Sequence, residues 1–291
     1  MGVSDLLGTV LAKFGSQGSE AGQFFDPEGI AVDQSGNVFV ADGGNHRIQK
    51  FSNAGIFLLE WDSMGSAEGQ LQTRPDGVAV DAEGNVFVAD LNNNRIQKFD
   101  NDGTLLTSWG ETGNGDGQFN GPVGVAVDAD SNVLVADRFN NRVQKFTNSG
   151  GFLTKWGTVG HDDGQFANPA GVAVDRSGNV YVADFFNDRI QKFTGSGTFL
   201  GKWGSMGSGD GQFIGARAVA VGAAGTIFAV DDGNDRIEVF TQSGALLTTW
   251  GSEGNGDGQF SSATSVAVDP NGSVWVVDES PRVQRFACDG E

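Results

Sequence analysis

The stretch GIAVDQSGNVFVADGGNHRIQKF, residues 29–51, decides the fold because it returns five more times along the chain. Three of these copies are clear and two are weaker, and they begin at Gly77, Gly124, Gly171, Ala218 and Ser265. The residue after the Ala-Val pair advances by 48 positions and then by 47 positions four times: Asp33, Asp81, Asp128, Asp175, Gly222 and Asp269. A constant spacing of this kind predicts a repeat protein with six similar units.

Each unit contains four short apolar runs separated by turn residues. In the second copy the runs cover residues 78–80, 86–89, 96–99 and 105–109. The motif Asp-x-x-Gly-Asn stands between the first two runs in most copies. There the Asp side chain can accept a backbone hydrogen bond and Gly can adopt a positive φ. Every unit is therefore predicted to be a four-stranded antiparallel meander.

One meander cannot bury two apolar faces, whereas repeats placed around an axis cover each other. This predicts an all-β fold, a six-bladed β-propeller with four antiparallel strands in each blade. The Gly-Val-Ala-Val-Asp strand suits the crowded centre, because one of its sides is small. The outermost strand ends in a large ring that can fill the wedge between diverging blades, and these rings are Trp61, Trp109, Trp156, Trp203 and Trp250.

The recurring pattern P-x-G-V-A-V-D, then G-N-V-x-V-A-D, then N-x-R-I-Q-K-F, resembles the NHL repeat over nearly the whole chain. The resemblance implies a six-bladed propeller. It also implies a recognition module that binds proteins or, in basic members, RNA. A WD40 repeat matches poorly, because the pair Trp61 and Asp62 does not recur.

The stretch GTVLAKFG at residues 8–15 matches the outer strand of a blade, with Phe14 in the place of Trp109. The sixth copy stops after its third strand in FACDG, residues 286–290, which supplies the first half of the missing turn. We therefore predict that the N-terminal strand completes the last blade and closes the ring without a bare edge. The expected organisation is a single NHL-type β-propeller domain over residues 1–291, with blade 6 formed by residues 261–291 plus strand 8–15.

Composition narrows the class of partner. The chain has 18 Lys and Arg against 37 Asp and Glu, a formal net charge of −19, which repels nucleic acid and anionic membranes. The single cysteine, Cys288, excludes an intrachain disulfide. No signal peptide or transmembrane segment is evident. We expect a soluble monomer without nucleic acid or membrane partners, in a compartment that the sequence does not identify.

Several polar and aromatic residues recur in every unit, which argues against a catalytic role, since an active site needs one constellation and not six. We expect the Asp that ends the second strand and the Arg that begins the third strand to be structural pairs, as in Asp42 and Arg47. The "GQF" aromatic, such as Phe24, is expected to fill the gap between blades. Lys50 and its counterparts are expected to lie along the blade surface.

We expect the functional residues to be those that differ in identity between the copies and that lie together on one face of the ring. The residue before each first strand should ring one mouth of the central channel, and there Glu28, Asp76 and Arg217 are charged. Related six-bladed propeller hydrolases bind calcium near this axis with carboxylates and Asn. Two acids are too few for calcium, so ordinary polar residues at a wet channel mouth are the favoured interpretation and a metal remains the alternative.

A second set of departures follows the Asp of the second strand. Blades two to four carry large apolar residues there, Leu91, Phe139, Phe185 and Phe186, with Arg138 among them. Exposed clusters of this type mark partner surfaces, so these five residues form a candidate binding face. The alternative is that the rings fold back over the blade tops, and the sequence leaves both open.

Enzymatic chemistry has few candidate residues. The chain has only His46 and His161, so a three-histidine zinc site cannot form, and neither G-x-S-x-G nor H-E-x-x-H occurs. The remaining alternative is a hydrolase or lyase that uses Glu28 and Asp76, with or without a metal. The favoured prediction is a noncatalytic module without a cofactor that presents a rigid face to a protein or small ligand. A sensor or surface module cut from a longer protein is a third interpretation.

Overall fold

The structure is a computed structural model that describes residues 8–61, 64–72 and 74–287. In this part of the chain, 24 strands form six antiparallel sheets of four strands each, arranged as the blades of a ring. The first strand of each blade packs beside the first strand of the next blade, so these strands surround the central channel. The predicted all-β, six-bladed propeller is confirmed.

The strands follow one another around the ring in the order of the chain. Strand β1 is Val10–Phe14. Blade 1 contains β2 (Pro27–Val32), β3 (Val38–Asp42), β4 (Arg47–Phe51) and β5 (Phe57–Trp61). Blade 2 contains β6 (Pro75–Val80), β7 (Val86–Asp90), β8 (Arg95–Phe99) and β9 (Leu105–Trp109). Blade 3 contains β10 (Pro122–Val127), β11 (Val133–Asp137), β12 (Arg142–Phe146) and β13 (Phe152–Trp156).

Blade 4 contains β14 (Pro169–Val174), β15 (Val180–Asp184), β16 (Arg189–Phe193) and β17 (Phe199–Trp203). Blade 5 contains β18 (Ala216–Val221), β19 (Ile227–Asp231), β20 (Arg236–Phe240) and β21 (Leu246–Trp250). Blade 6 contains β22 (Ala263–Val268), β23 (Val274–Asp278) and β24 (Arg282–Phe286), together with β1. One-turn 3₁₀ helices link the second and third strands of blades 1 to 5: Gly43–Asn45, Leu91–Asn93, Arg138–Asn140, Phe185–Asn187 and Asp232–Asn234.

The turn between the first two strands has the predicted chemistry. Asp33 Oδ1 accepts hydrogen bonds from the backbone nitrogens of Ser35 at 2.9 Å and Asn37 at 2.8 Å. Asn37 Nδ2 donates to the other carboxylate oxygen at 2.8 Å. The side chain of Asp33 thus satisfies the backbone of a turn that must reverse within a few residues.

The hydrophobic core is divided into six clusters, and each lies between two neighbouring blades. Phe24, for example, is fully buried with Phe51 of blade 1 and Trp275 of blade 6. The outer rings fill the wedge as predicted: a Cβ on Gly103, in the turn of blade 2, would lie 2.6 Å from Trp61 Cγ of blade 1. Because Gly103 has a φ of 84° and no side chain, the indole can pack directly on its backbone.

Strand β1 closes the ring by pairing antiparallel with β24, so that Val10 lies opposite Phe286. Three contacts make β1 equivalent to the other outer strands. Lys13 forms an ion pair with Asp257 in the loop before blade 6, as Lys155 does with Asp116 in blade 3. Phe14 packs on the turn glycine of blade 1, and Trp250 of blade 5 packs on Gly8. The predicted closure is therefore confirmed. Residues 288–290 of the predicted turn lie outside the described residues.

The repeated lysines differ from expectation, because they are not spread along the blade surface. Lys50 is buried, its ammonium group lies 5.5 Å from the centre of the Phe39 ring, and it donates to the backbone oxygen of Asn101 in the next blade at 3.1 Å. The ring face and the carbonyl replace water around the charge, so this lysine links two blades.

Candidate functional site

A buried polar network fixes the loops on the channel-mouth face, the face that carries the 3₁₀ helices. Asp42 Oδ1 accepts from the backbone nitrogen of Phe25 at 2.8 Å, and Oδ2 accepts from Asn45, Arg47 and Gln49 at 2.8–2.9 Å. Arg47 also donates to three backbone oxygens of the preceding loop. The Asp–Arg pair recurs in every blade at 2.7–2.9 Å. The structural role that we expected for these pairs is confirmed, because in each blade they hold the loops of this face in place.

A cavity of about 260 Å³ opens at the mouth of the central channel on this face. Its lining includes the three predicted mouth residues Glu28, Asp76 and Arg217. It also includes Arg138 and Phe185 from the second predicted set. Two groups of residues that the sequence analysis kept separate therefore meet in one site.

Glu28 is the most buried acid of the cavity, with 4% of its surface exposed. Arg217 Nη2 lies 3.0 Å from Glu28 Oε2, and Arg74 forms an ion pair with Oε1. Burial and the nearby charge of Asp76 raise the pKa of Glu28 to about 7, although both arginines oppose this change. Burial likewise raises the pKa of Asp76. Proton binding at the channel mouth is therefore sensitive to pH near neutrality.

Arg217 connects three blades. Besides Glu28 of blade 1, its Nη1 lies 3.4 Å from Asp232 Oδ2 of blade 5 and 3.7 Å from Glu279 Oε1 of blade 6. Burial disfavours its charge, but Glu28, Asp232 and Asp76 together raise the pKa of Arg217. The guanidinium group therefore stays charged and is fully engaged by carboxylates.

Arg138 has a different environment. Its Nε donates to Asn168 Oδ1 at 3.1 Å, and the guanidinium carbon lies 5.7 Å and 5.9 Å from the ring centres of Phe139 and Phe185. Within the described residues, Arg138 forms no ion pair, and no group accepts a hydrogen bond from its terminal nitrogens. Burial lowers the pKa of Arg138, and Arg217 lowers it further while Asp76 raises it. Arg138 therefore offers an unused planar donor edge to the cavity.

Arg74 is a site residue that the sequence analysis missed. Its backbone has a φ of 78°, in the left-handed region. The other five blades carry residues there that are small or adopt this region readily: Asp26, Gly121, Asn168, Gly215 and Ser262. A left-handed conformation costs an ordinary side chain about 1–2 kcal/mol. A comparison of this position across the six copies would have revealed the unusual arginine.

The predicted apolar face is partly exposed. Phe139 and Phe186 expose 52% and 62% of their surface. Leu91 and Phe185 are partly buried, and the ring of Phe185 lies on Gly215. Both alternatives thus apply, because the ring of Phe139 also lies on a loop glycine, Gly121, and still exposes half of its surface.

Two further exposed apolar residues, Phe25 and Ile214, lie on the same face. They pack on Gly44 and Gly233 of the 3₁₀ helices. The position after each "GQF" motif would have identified them, because it is large and apolar in these two copies and not in the others.

The described residues contain no group of three or more His, Cys, Asp or Glu side chains that could hold a metal ion. At the channel mouth Glu28 is neutralised by two arginines instead. The site is equipped to form hydrogen bonds and ion pairs with a ligand and to contact its apolar parts. In the described part of the chain, no helix has the length and apolar character needed to span a membrane.

Six four-stranded blades around a channel with a polar cavity at one mouth define a six-bladed β-propeller. The family model described as NHL repeat matches residues 24–51, 73–99, 119–146 and 166–193. The chain therefore carries NHL repeats at these four positions within a six-bladed β-propeller.

Curated relatives match over short segments. "Protein brain tumor" of Drosophila melanogaster is 42% identical over 59 residues, which is 20% of this chain and 6% of that protein. "B-box type zinc finger protein ncl-1" of Caenorhabditis elegans is 51% identical over 45 residues, 16% of this chain and 5% of that protein. The similarity therefore spans only a small part of the length of these relatives.

Solved structures share the fold over nearly the full chain. A streptogramin B lyase structure superposes with a TM-score of 0.66 at 14% identity, covering 95% of this chain and 97% of the other. A gluconolactonase from Xanthomonas campestris gives 0.67 at 15% identity, covering 98% and 90%. At these identities the likeness establishes the fold alone.

Proposed function

We propose that this propeller is a noncatalytic recognition module and that its channel-mouth face binds a protein or small ligand. The observation that carries the proposal is that the charged cavity and the exposed rings of Phe139 and Phe186 lie on one face. Phenylalanine and arginine are both enriched in protein interfaces relative to the rest of the surface.

Preorganisation supports the same function. The loop of Phe139 is held by the buried pair Asp137 and Arg142, whose Nε lies 2.7 Å from Asp137 Oδ2. The loop of Phe186 is held by the equivalent pair Asp184 and Arg189, at 2.8 Å. A surface that is already ordered loses little conformational entropy when a partner binds. The net charge of −19 makes nucleic acid an unfavourable partner, and we propose that the module acts as a monomer without a cofactor.

A hydrolase or lyase is the second candidate, because a carboxyl group whose pKa is raised to about 7 suits general acid–base catalysis. Two propellers of the same fold are a lyase and a lactonase by name. This candidate is weaker, since both oxygens of Glu28 already face arginines and are not free to accept a substrate proton.

The recognition proposal is tested with the double substitution F139S/F186S. A matched control is L106S/L200S, which removes two equally exposed leucines from the outer strands. Immobilised wild type and control should capture the same partner, which is then purified and titrated, while the double variant should lose at least tenfold in affinity. All three proteins should unfold within about 1 kcal/mol of each other, because exposed positions contribute little to stability. Equal affinity for all three would refute recognition by this face.

A further inference from the structure

Arg138 is the one arginine of the cavity whose charge is not already neutralised by a carboxylate among the described residues. Arg74 and Arg217 both contact Glu28, whereas the terminal nitrogens of Arg138 have no described acceptor. Its position is nevertheless fixed, because Asn168 accepts from Nε and two aromatic rings contact the guanidinium group. A partly buried donor edge that is held in place and has no described acceptor is the expected state of a ligand-binding arginine before its ligand arrives.

We propose that the channel mouth binds a monocarboxylate that carries an apolar or aromatic group, with Arg138 as the residue that binds the carboxylate. This inference rests on the proposed function, because it names the class of ligand for the same face. The two terminal nitrogens of a guanidinium group match the two oxygens of a carboxylate in a planar, paired geometry.

The apolar part of the ligand follows from the neighbours of Arg138. Phe185 lines the cavity and Phe139 exposes about half of its surface beside it. A ligand held by its carboxylate would therefore place its next atoms against these two rings. The cavity of about 260 Å³ is smaller than the usual range for drug-sized ligands, which favours a single small acid or one terminal residue of a peptide.

The restriction to one negative charge follows from the acids of the cavity. Asp76 and Glu279 line it together with Arg138. Asp76 forms no ion pair among the described residues, and its charge raises the pKa of Arg138. A second negative charge on the ligand would meet these carboxylates, so a phosphate dianion is disfavoured relative to a carboxylate.

The same chemistry is offered by a free organic acid and by the C-terminal carboxylate of a peptide. The test therefore uses calorimetric or NMR titration of the purified full chain with four probes. They are 3-phenylpropionate, 3-phenylpropionamide, phenyl phosphate and an acetylated peptide that ends in Phe with a free carboxylate. The amide should not bind, and phenyl phosphate should bind more weakly than 3-phenylpropionate. Tighter binding by the peptide identifies a chain terminus as the ligand, and tighter binding by the small acid identifies an organic acid.

The variant R138Q should weaken binding of 3-phenylpropionate at least tenfold. R176Q is the matched control, because Arg176 is exposed at the opposite end of the channel and its substitution removes the same charge. R138K keeps the charge but loses the paired geometry and should give an intermediate loss, which provides a second readout if R138Q does not fold. Unchanged affinity in R138Q and R138K, equal binding of acid and amide, or no binding of either carboxylate would overturn the inference. Failure of the proposed function would appear separately, as unchanged partner affinity in F139S/F186S.

Discussion

Replacing Glu238 by Gln should stabilise the propeller at alkaline pH and have a much smaller effect at acidic pH. Five blades have Gln at this position of the third strand, where in blade 4 Gln191 Nε2 donates to the Gln165 backbone oxygen at 2.7 Å and to Asp184 Oδ2 at 3.0 Å. In blade 5 a carboxyl group stands in place of the amide, and among the described residues its buried Oε2 has no hydrogen-bond partner. Oε1 of Glu238 lies 2.8 Å from Arg236 Nη2. If Oε2 occupies the place of the Gln191 amide nitrogen, an ionised Glu238 would place it against two acceptors, whereas the protonated form could donate to one of them.

The magnitude follows from the change in proton affinity on folding. Burial raises the pKa of Glu238 from 4.5 to about 7, with Asp231 adding to the effect and Arg236 opposing it. Below pH 4.5 the group is protonated in both states, so its contribution to stability is fully present. As pH rises toward 7 the unfolded chain releases the proton and the folded chain keeps it, so stability is lost. The full difference corresponds to about 3 kcal/mol.

The assay is urea unfolding, followed by tryptophan fluorescence, at about pH 5 and about pH 8.5. The stability of E238Q minus that of wild type should be larger by about 2–3 kcal/mol at the higher pH. Glu28 is present in both proteins, so its own titration cancels. The converse substitution Q191E in blade 4 is the matched control and should introduce the same pH dependence. The reasoning is refuted if the difference between E238Q and wild type is the same at both pH values.

Three further outcomes are expected. F14A should lower the free energy of unfolding by about 3–5 kcal/mol, because Phe14 packs with Phe51 at a ring distance of 4.6 Å. Deletion of residues 1–15 should destabilise the whole ring, and a wild-type melting temperature in either variant would contradict noncovalent closure. G103A should lower the free energy of unfolding by several kcal/mol more than G117A. Both glycines have positive φ, but an added Cβ would meet Trp61 at Gly103 and finds nothing within 4 Å at Gly117. Equal melting temperatures of the two variants would show that the indole does not pack on the turn. Elemental analysis of purified protein should find no stoichiometric metal, because Glu28 is held by Arg74 and Arg217 and the described residues contain no group of three or more potential metal ligands. One tightly bound calcium per chain would favour the enzymatic alternative.

The fold could be predicted from the sequence because the residues that determine it lie close together in the chain and recur in every unit. The Asp-x-x-Gly-Asn turns set the hairpins, and the 47-residue step sets the number of blades. The closing strand followed from the match of residues 8–15 to an outer strand with Phe14 at its end. Only the repeated lysines were misplaced, because their partners lie in the next blade, as Asn101 does for Lys50.

The site could be predicted only in part. Departures from the repeat identified Glu28, Asp76 and Arg217, but the pairing of Glu28 with Arg217 joins residues 189 positions apart. Such a contact depends on how the blades surround the channel. The direction of Arg138 was also hidden, because the rings beside it and Asn168 of the next blade decide which way the guanidinium points.

The pairing of β1 with β24 has a mechanical consequence. Val10 lies opposite Phe286, and Ala287 donates its backbone nitrogen to the oxygen of Thr9 at 2.9 Å, so residues 9 and 287 lie side by side at one end of this strand pair. A pulling force between residues 9 and 287 would load this hydrogen bond first and then peel the strands apart one bond at a time. Because the hydrogen bonds of this strand pair would break in succession and not all together, the noncovalent closure between β1 and β24 would resist a pulling force weakly.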